Sequence, residues 1–357
     1  MRLITRYIFN KCALSTFMIL LAFVMLFSIV NIISSLGDIG KGGFTVLAML
    51  VYTIALIPNY LYLLMPLAVL IGVMLSMLSL VNYSEYAIIR TSGVSLKNIM
   101  WVLLSFGICF SILTFLVGEI IAPRTNHFAQ VYKISKTNQI ISSQLHSGIW
   151  SKDGENDFVN IKQVLPDNTI LGIGIFHYDS NLNLLYYINA DSGEFNNDKN
   201  EWELREVDEY NYSGQNIKTT HFKQYLWKTS IEPSYFNVLV LAPEDMSALG
   251  LIKYIHHLRL NNQSTQRYQI AFWNKLLYPI ACISMALMAL AFVPNNRRNI
   301  NLGTKMFSGI LIGISFFFLT RLIGHLALLF DWNAIISSLS PTVILFIFGW
   351  YFVLRKE

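Results

Sequence analysis

The 357-residue chain is 54% hydrophobic and only 13% charged, with a mean hydropathy of +0.48. That balance excludes an ordinary water-soluble globule and fits a protein with much of its length in lipid. The net charge of +5 and the three cysteines Cys12, Cys109 and Cys282, all inside apolar runs, suggest no nucleic-acid footprint, disulfide framework or Cys-rich zinc site.

The first apolar run, from about Ile8 to Ile33, is too long for the core of a signal peptide and reads as a retained span. Six membrane helices are expected at 8–34, 58–81, 98–121, 270–292, 306–329 and 334–354, each near the ~20 residues that cross the hydrocarbon. Residues 44–57 are also apolar. The second helix therefore either starts earlier and kinks at Pro58 or Pro66, or follows an interfacial segment. Six spans put both termini on one side, where Arg2, Arg6, Lys11, Arg90, Lys97, Arg297, Arg298, Lys305, Arg355 and Lys356 gather. The positive-inside rule makes that side cytoplasmic. The resulting domains are 1–123 with three spans, an outer insert at 124–266, and 267–357 with three more.

Between spans two and three stands "SEYAIIRTSG", residues 84–93. Ser84 is expected to cap a short helix, Glu85 to sit in its first turn and Gly93 to end it in the left-handed conformation. Tyr83 and Tyr86 suit the membrane interface.

From about Ser147 to Lys228 the pattern changes to short β-rich runs, including "DFVNI", "TILGIGIFHY" and "EWELREVDEY", separated by turn residues. This predicts an antiparallel all-β insert, a sandwich or partly open barrel. Val159 and Ile161 share one face, and Leu171, Ile173 and Ile175 another. These faces form either a plain core or an apolar trough for a lipid chain. A helical segment at 243–262 follows, with Ser247 as a plausible N-cap.

The chain holds no P-loop, nucleophile elbow or HExxH helix, so no enzyme is read here. His256 and His257 are adjacent, which aims them about 100° apart on a helix and disfavours a shared metal. Ionisable residues within spans are functional candidates. Arg321 and His325 share one face of the fifth span, where Arg321 either snorkels outward or lines a polar cavity. Glu119, before Pro123, has the same two readings or pairs with Arg124.

The segments "RYI" at 6–8, "SEYAIIRTSG", "GEIIAP" at 118–123, "SGIWSKDGENDFVNI" at 147–161 and "RYQIAFWNKLLYP" at 267–279 together resemble the YjgP/YjgQ family of lipopolysaccharide-export permeases. The G-type subunits are the closer match. The resemblance implies a non-catalytic ABC-exporter permease in a Gram-negative inner membrane, with six transmembrane helices (3+3) and an inserted periplasmic β-jellyroll. Its implied partners are an F-type sister permease, two copies of a cytoplasmic ABC ATPase that bind the ATP and Mg, a periplasmic bridge component with a single membrane helix, and lipopolysaccharide. It implies no cofactor in this chain. Glu85 matches the family's acidic coupling residue, which places Ser84, Tyr86, Arg90 and Gly93 on a coupling helix.

Several outer basic residues of the G-type pattern are missing. Asn31, Gly37, Asp38 and Asn59 stand in their places, Lys41 is shifted, and Lys133 and Lys305 match. Lys41, Arg124, Lys133, Lys305 and Arg321 are therefore the expected headgroup or phosphate contacts, with Arg321 compensating for the lost lysines. Val159, Ile161, Leu171, Ile173 and Ile175 are the expected trough. The alternative is a membrane-anchored periplasmic scaffold or lipid-binding assembly protein without transport activity.

Overall fold

The computed structural model describes residues 2–137, 149–154, 156–165, 169–179, 183–196, 201–213, 216–229, 231, 233, 242–260, 263–293 and 302–355. Most of the turn residues between the strand runs, and the basic residues Arg297, Arg298 and Lys356, lie outside them. Among the described residues six helices are long and apolar enough to cross a membrane, and a six-stranded sheet is inserted between the third and fourth.

The first span is α1 (Arg2–Ser35). The second, α2 (Val46–Asn82), is one continuous helix of 37 residues that runs through Pro58 and Pro66. Its start is set by Thr45, whose side chain accepts the Ala48 N–H at 3.3 Å, so of the two expectations the earlier start is the observed one. Its first turns are not idle: Tyr52 and Leu56 pack against Ala129, and Ala48 and Met49 cluster with Phe44, Ile32 and Tyr132.

After the short helix α3 (Glu85–Thr91), the third span comprises α4 (Leu96–Leu116), a π-helical turn (Val117–Ile121) and α5 (Ala122–Thr137). The helix thus continues well past residue 123. A π turn widens the backbone by one residue per turn, which admits Pro123 without a break where a regular α-helix would clash. Further along, the described residues form α6 (Ala248–Leu260), α7 (Gln266–Leu277), α8 (Ala281–Ala291), α9 (Leu302–Leu329) and α10 (Ala334–Leu354). Residues such as Ala68, Val73, Met77, Leu103, Phe106, Ala286 and Leu287 make the buried centre of the bundle.

The insert is a single antiparallel meander in the order β1-β2-β3-β4-β5-β6: β1 (Ile149–Asp153), β2 (Asp157–Val164), β3 (Ile170–Tyr178), β4 (Leu184–Asn196), β5 (Glu201–Ser213) and β6 (Asn216–Trp227). Buried residues should recur every second position along such strands. Here the interval stretches to three at one level of the ladder: Ile161 to Val164, Ile170 to Ile173, Ala190 to Gly193 and Leu204 to Val207 are buried pairs. Between them Gly172 (φ +63°) and Glu206 (φ +49°) adopt left-handed backbone. The sheet therefore creases along one line, and both halves bury the same side, a feature of bulged and bent sheets.

The crease corrects one expectation. Leu171 does not share the buried face of Ile173 and Ile175; left-handed Gly172 resets the alternation, and Ile170 is buried in its place. Val159, Ile161, Ile173 and Ile175 do lie on that face, each at most 3% exposed. They pack with Ile188, Val207 and Trp202, whose indole N–H donates to the Ile231 carbonyl at 2.7 Å.

Candidate functional site

Two polar sites lie at opposite ends of the third-span hairpin. At the end shared by the N-terminus and α3, the Glu85 carboxylate accepts a 2.7 Å hydrogen bond from the Tyr7 hydroxyl and one of 3.0 Å from the Lys11 ammonium, both on α1. The Tyr7 bond, helped by Lys11 and opposed by partial desolvation, holds the carboxyl below its usual range. Around it the surface is apolar and open: Ile88 is 66% and Tyr83 71% exposed, while Tyr86 and Ile89 anchor α3 by burial.

Ser84 does not act as expected. Its backbone is left-handed at φ +64° and its side chain makes no capping bond, because that conformation turns the hydroxyl away from the first helical N–H groups. Gly93 does end the helix, at φ +90°, with its N–H on the Arg90 carbonyl. The Arg90 guanidinium donates to the Val94 carbonyl at 3.3 Å. The loop after α3 is thus tied down while the α3 surface stays free.

At the other end Glu119 lies in the π turn and accepts from the N–H groups of Ala248 and Leu249 at 2.9 and 3.4 Å. It caps α6 jointly with Ser247, which receives the Gly250 N–H at 3.1 Å, and it makes no ion pair with Arg124 among the described residues. A carboxylate at a helix N-terminus is favoured by both the free N–H groups and the dipole. Beside it Lys275 is buried, donates to the Met246 carbonyl and lies over the Tyr62 ring. Asp245 accepts from Asn59 at 3.3 Å; burial pushes its carboxyl up, against the Asn59 bond. The strap 243–249, which leads from the sheet to α6, is therefore held by one residue from each of spans two, three and four.

The cavity next to this junction, about 350 Å³, is lined by the polar residues Asn59, Glu244, Asp245, Arg267, Lys275, Arg321 and His325 and by apolar ones that include Leu63, Tyr278 and Phe317. Arg321 stands about 28 Å along α9 at 1.5 Å per residue, and it faces this cavity. His325 donates its Nδ1 proton to the Arg321 carbonyl at 2.9 Å.

The other expected headgroup residues are dispersed. Asp38 forms ion pairs with both Lys41 at 2.7 Å and Lys133 at 2.8 Å, and Lys133 also lies over the Tyr52 ring. Arg124 is exposed in the first turn of α5. Lys305 begins α9 beside Phe292, at the end of the bundle that carries Glu85, so it lies apart from Lys41, Lys133 and Arg321. Sequence reasoning missed Tyr7, Asp245, Arg267 and Lys275. A lysine within an apolar span was the available signal for the last.

A family model described as lipopolysaccharide export system permease LptF/LptG matches residues 6–355. The chain is 29% identical over 355 residues to the lipopolysaccharide export system permease protein LptG of Escherichia coli K12, covering 99% of this chain and 98% of that protein. It is 26% identical over 352 residues to the LptG protein of Haemophilus influenzae, with the same shares of coverage.

Proposed function

Because the chain belongs to the LptF/LptG family of lipopolysaccharide export permeases, we propose that it is the G-type permease subunit that moves lipopolysaccharide out of the inner membrane. It is a multi-pass membrane protein; in this reading its termini are cytoplasmic and its sheet is periplasmic. The positive residues at the Glu85 end support that orientation. The first and fifth spans bury only 11% and 17% of their most apolar stretches within the chain, which leaves them free to face lipid and an F-type sister permease.

Energy reaches such a subunit from a separate ATPase present in two copies. The observation that carries this part is the Glu85 surface: a seven-residue helix anchored by Tyr86 and Ile89, with Ile88 exposed beside a carboxylate already oriented by Tyr7 and Lys11. It offers an apolar knob and an aimed anion to a groove in the partner. The apolar side of the creased sheet is the proposed onward path for the lipid toward a periplasmic bridge, which requires the two halves to part around Val159, Ile161, Ile173 and Ile175. Glu85→Ala in the only copy of the subunit tests the reading. The assembly should form and retain lipid while export falls, and undiminished export refutes the coupling role.

A further inference from the structure

One side of α6 carries a stripe that no described residue covers. Leu249, Ile252, His256 and Arg259 follow one another at intervals of three or four, with Lys253 and Leu260 on the same side, the spacing of a single helix face. Leu249 is 70% and Leu260 66% exposed, and the three basic side chains are exposed with them. None of those three has an ion pair or side-chain hydrogen bond among the described residues, and α6 contains no acid to balance them. Arg259, in the last turn, complements the helix dipole. Lys253 sits too early in the helix to gain from it, and a water-facing helix has no use for three exposed aliphatic side chains.

The position of α6 says what lies against the stripe. Its first N–H groups are fixed to Glu119, which stands ~35 Å beyond the start of α4 at 1.5 Å per residue, just past the ~30 Å of hydrocarbon. From that boundary α6 runs antiparallel to α7: the Met246 carbonyl meets Lys275, Leu251 clusters with Ala271, and the Tyr254 and Tyr268 rings pack at 4.6 Å. Its buried side is therefore spent on α7, and the stripe faces the other way. Along the chain Leu249 and Ile252 come first, at the boundary, and Lys253, His256 and Arg259 follow as α6 leaves it. Acyl chains followed by phosphates stand in the same order across a leaflet.

We infer that α6 is an interfacial helix whose stripe holds resident anionic glycerophospholipids, with Lys253 and Arg259 at the phosphates, His256 between them, and Leu249 and Ile252 among the acyl chains. The leaflet concerned is the one at the Glu119 end, periplasmic in the orientation proposed above. The inference rests on the membrane spans and not on which lipid the protein exports. Anionic headgroups supply the counter-charge that α6 lacks, and long basic side chains reach them while their stems cover apolar surface. A protein with an acidic surface is the competing occupant. The succession from apolar to basic with distance from the hydrocarbon favours lipid, since a protein surface imposes no such order. Because α6 joins the strap to α7, a lipid hold here ties the link between sheet and bundle to the leaflet itself.

Fluorescence quenching in nanodiscs tests this on the full chain. A bimane label is placed at Leu249→Cys in a Cys109→Ser background, which removes the exposed native thiol and leaves the Leu249 N–H on Glu119. The quenchers are phosphatidylglycerol and phosphatidylcholine, each spin-labelled near the acyl carbonyl and diluted into unlabelled phosphatidylcholine. Phosphatidylglycerol should quench at about tenfold lower content, the effect of two surface cations. Adding Lys253→Gln and Arg259→Gln should bring the two lipids level, whereas adding Lys253→Arg should keep the preference. Absence of quenching by either lipid overturns the interfacial placement, and equal quenching by both overturns the anionic site. A preference that survives loss of both cations overturns their role. Unlabelled bisphosphorylated lipid A that displaces the phosphatidylglycerol at equal content assigns the stripe to the exported lipid and overturns the resident one. Loss of the sister permease from the doubly neutralised chain, with quenching unchanged, marks a protein interface instead. Should that chain aggregate, Lys253→Gln alone, expected to lower the preference about threefold, carries the same test.

Discussion

Glu85 and Glu119 are both lone carboxylates at the ends of apolar runs, one at each end of the third-span hairpin, yet the fold uses them in opposite ways. Glu119 is absorbed: its two oxygens are taken by backbone N–H groups of a helix that begins 129 residues later. Glu85 is oriented but left at the surface, its side chain 33% exposed and its partners both side chains of α1. The lesson is that a charge engaged by backbone fixes one element to another, whereas a charge engaged by flexible side chains remains available to a third party. The Glu119 end of the bundle is closed by its own backbone, whereas the Glu85 end keeps its carboxylate at the surface.

The sharpest way to break that contrast is at the Glu119 end. Lys275→Met removes a buried cation and leaves the Met246 carbonyl without its donor, and should destabilise the chain by about 3 kcal/mol, read by denaturant unfolding in detergent. Glu119→Ala uncaps α6 and should cost about 1 to 2 kcal/mol, with Glu119→Gln recovering part of it. At the other end Glu85→Ala should cost under about 1 kcal/mol, as exposed ion pairs do, while nearly abolishing export. A Glu85→Ala loss as large as that of Glu119→Ala would erase the distinction.

The smallest effect is a pH dependence. The folded Glu85 carboxyl is held below its usual range, first by Tyr7, so its contribution is fully present above that range and is lost as pH falls through the folded value. The stability difference between the parent and Glu85→Gln should therefore stay flat from neutral pH down to the usual carboxylate range and vanish only below it. A difference that shrinks between pH 8 and 6 would show another group titrating.

What was legible in the sequence follows the range of the forces concerned. The six spans and the strands were legible because run length and alternation are local properties, as was the left-handed cap at Gly93. The Glu85 loop was legible as a site, but its partners were not: Tyr7 and Lys11 lie 78 and 74 residues away, and no periodicity announces a tertiary contact. Glu119 was misread for the same reason, since its partners are backbone groups that carry no residue-type signature. The extended second helix illustrates another limit. Residues 46–57 are apolar for contact with Ala129 and Tyr132 as much as for lipid, and composition does not separate the two causes.

The crease in the sheet acts as a datum line from which the strands are measured. Ile161, Ile173, Ala190 and Val207 stand on one side of it, and Val164, Ile170, Gly193 and Leu204 on the other, each set paired rung to rung. One residue gained or lost between crease and turn is absorbed by the turn. One gained or lost at the crease turns half a strand inside out, because the side-chain period is two. A length change in this domain is therefore tolerated best at the tips of its hairpins, and the row through Gly172 and Glu206 is where β2 to β5 must keep count together.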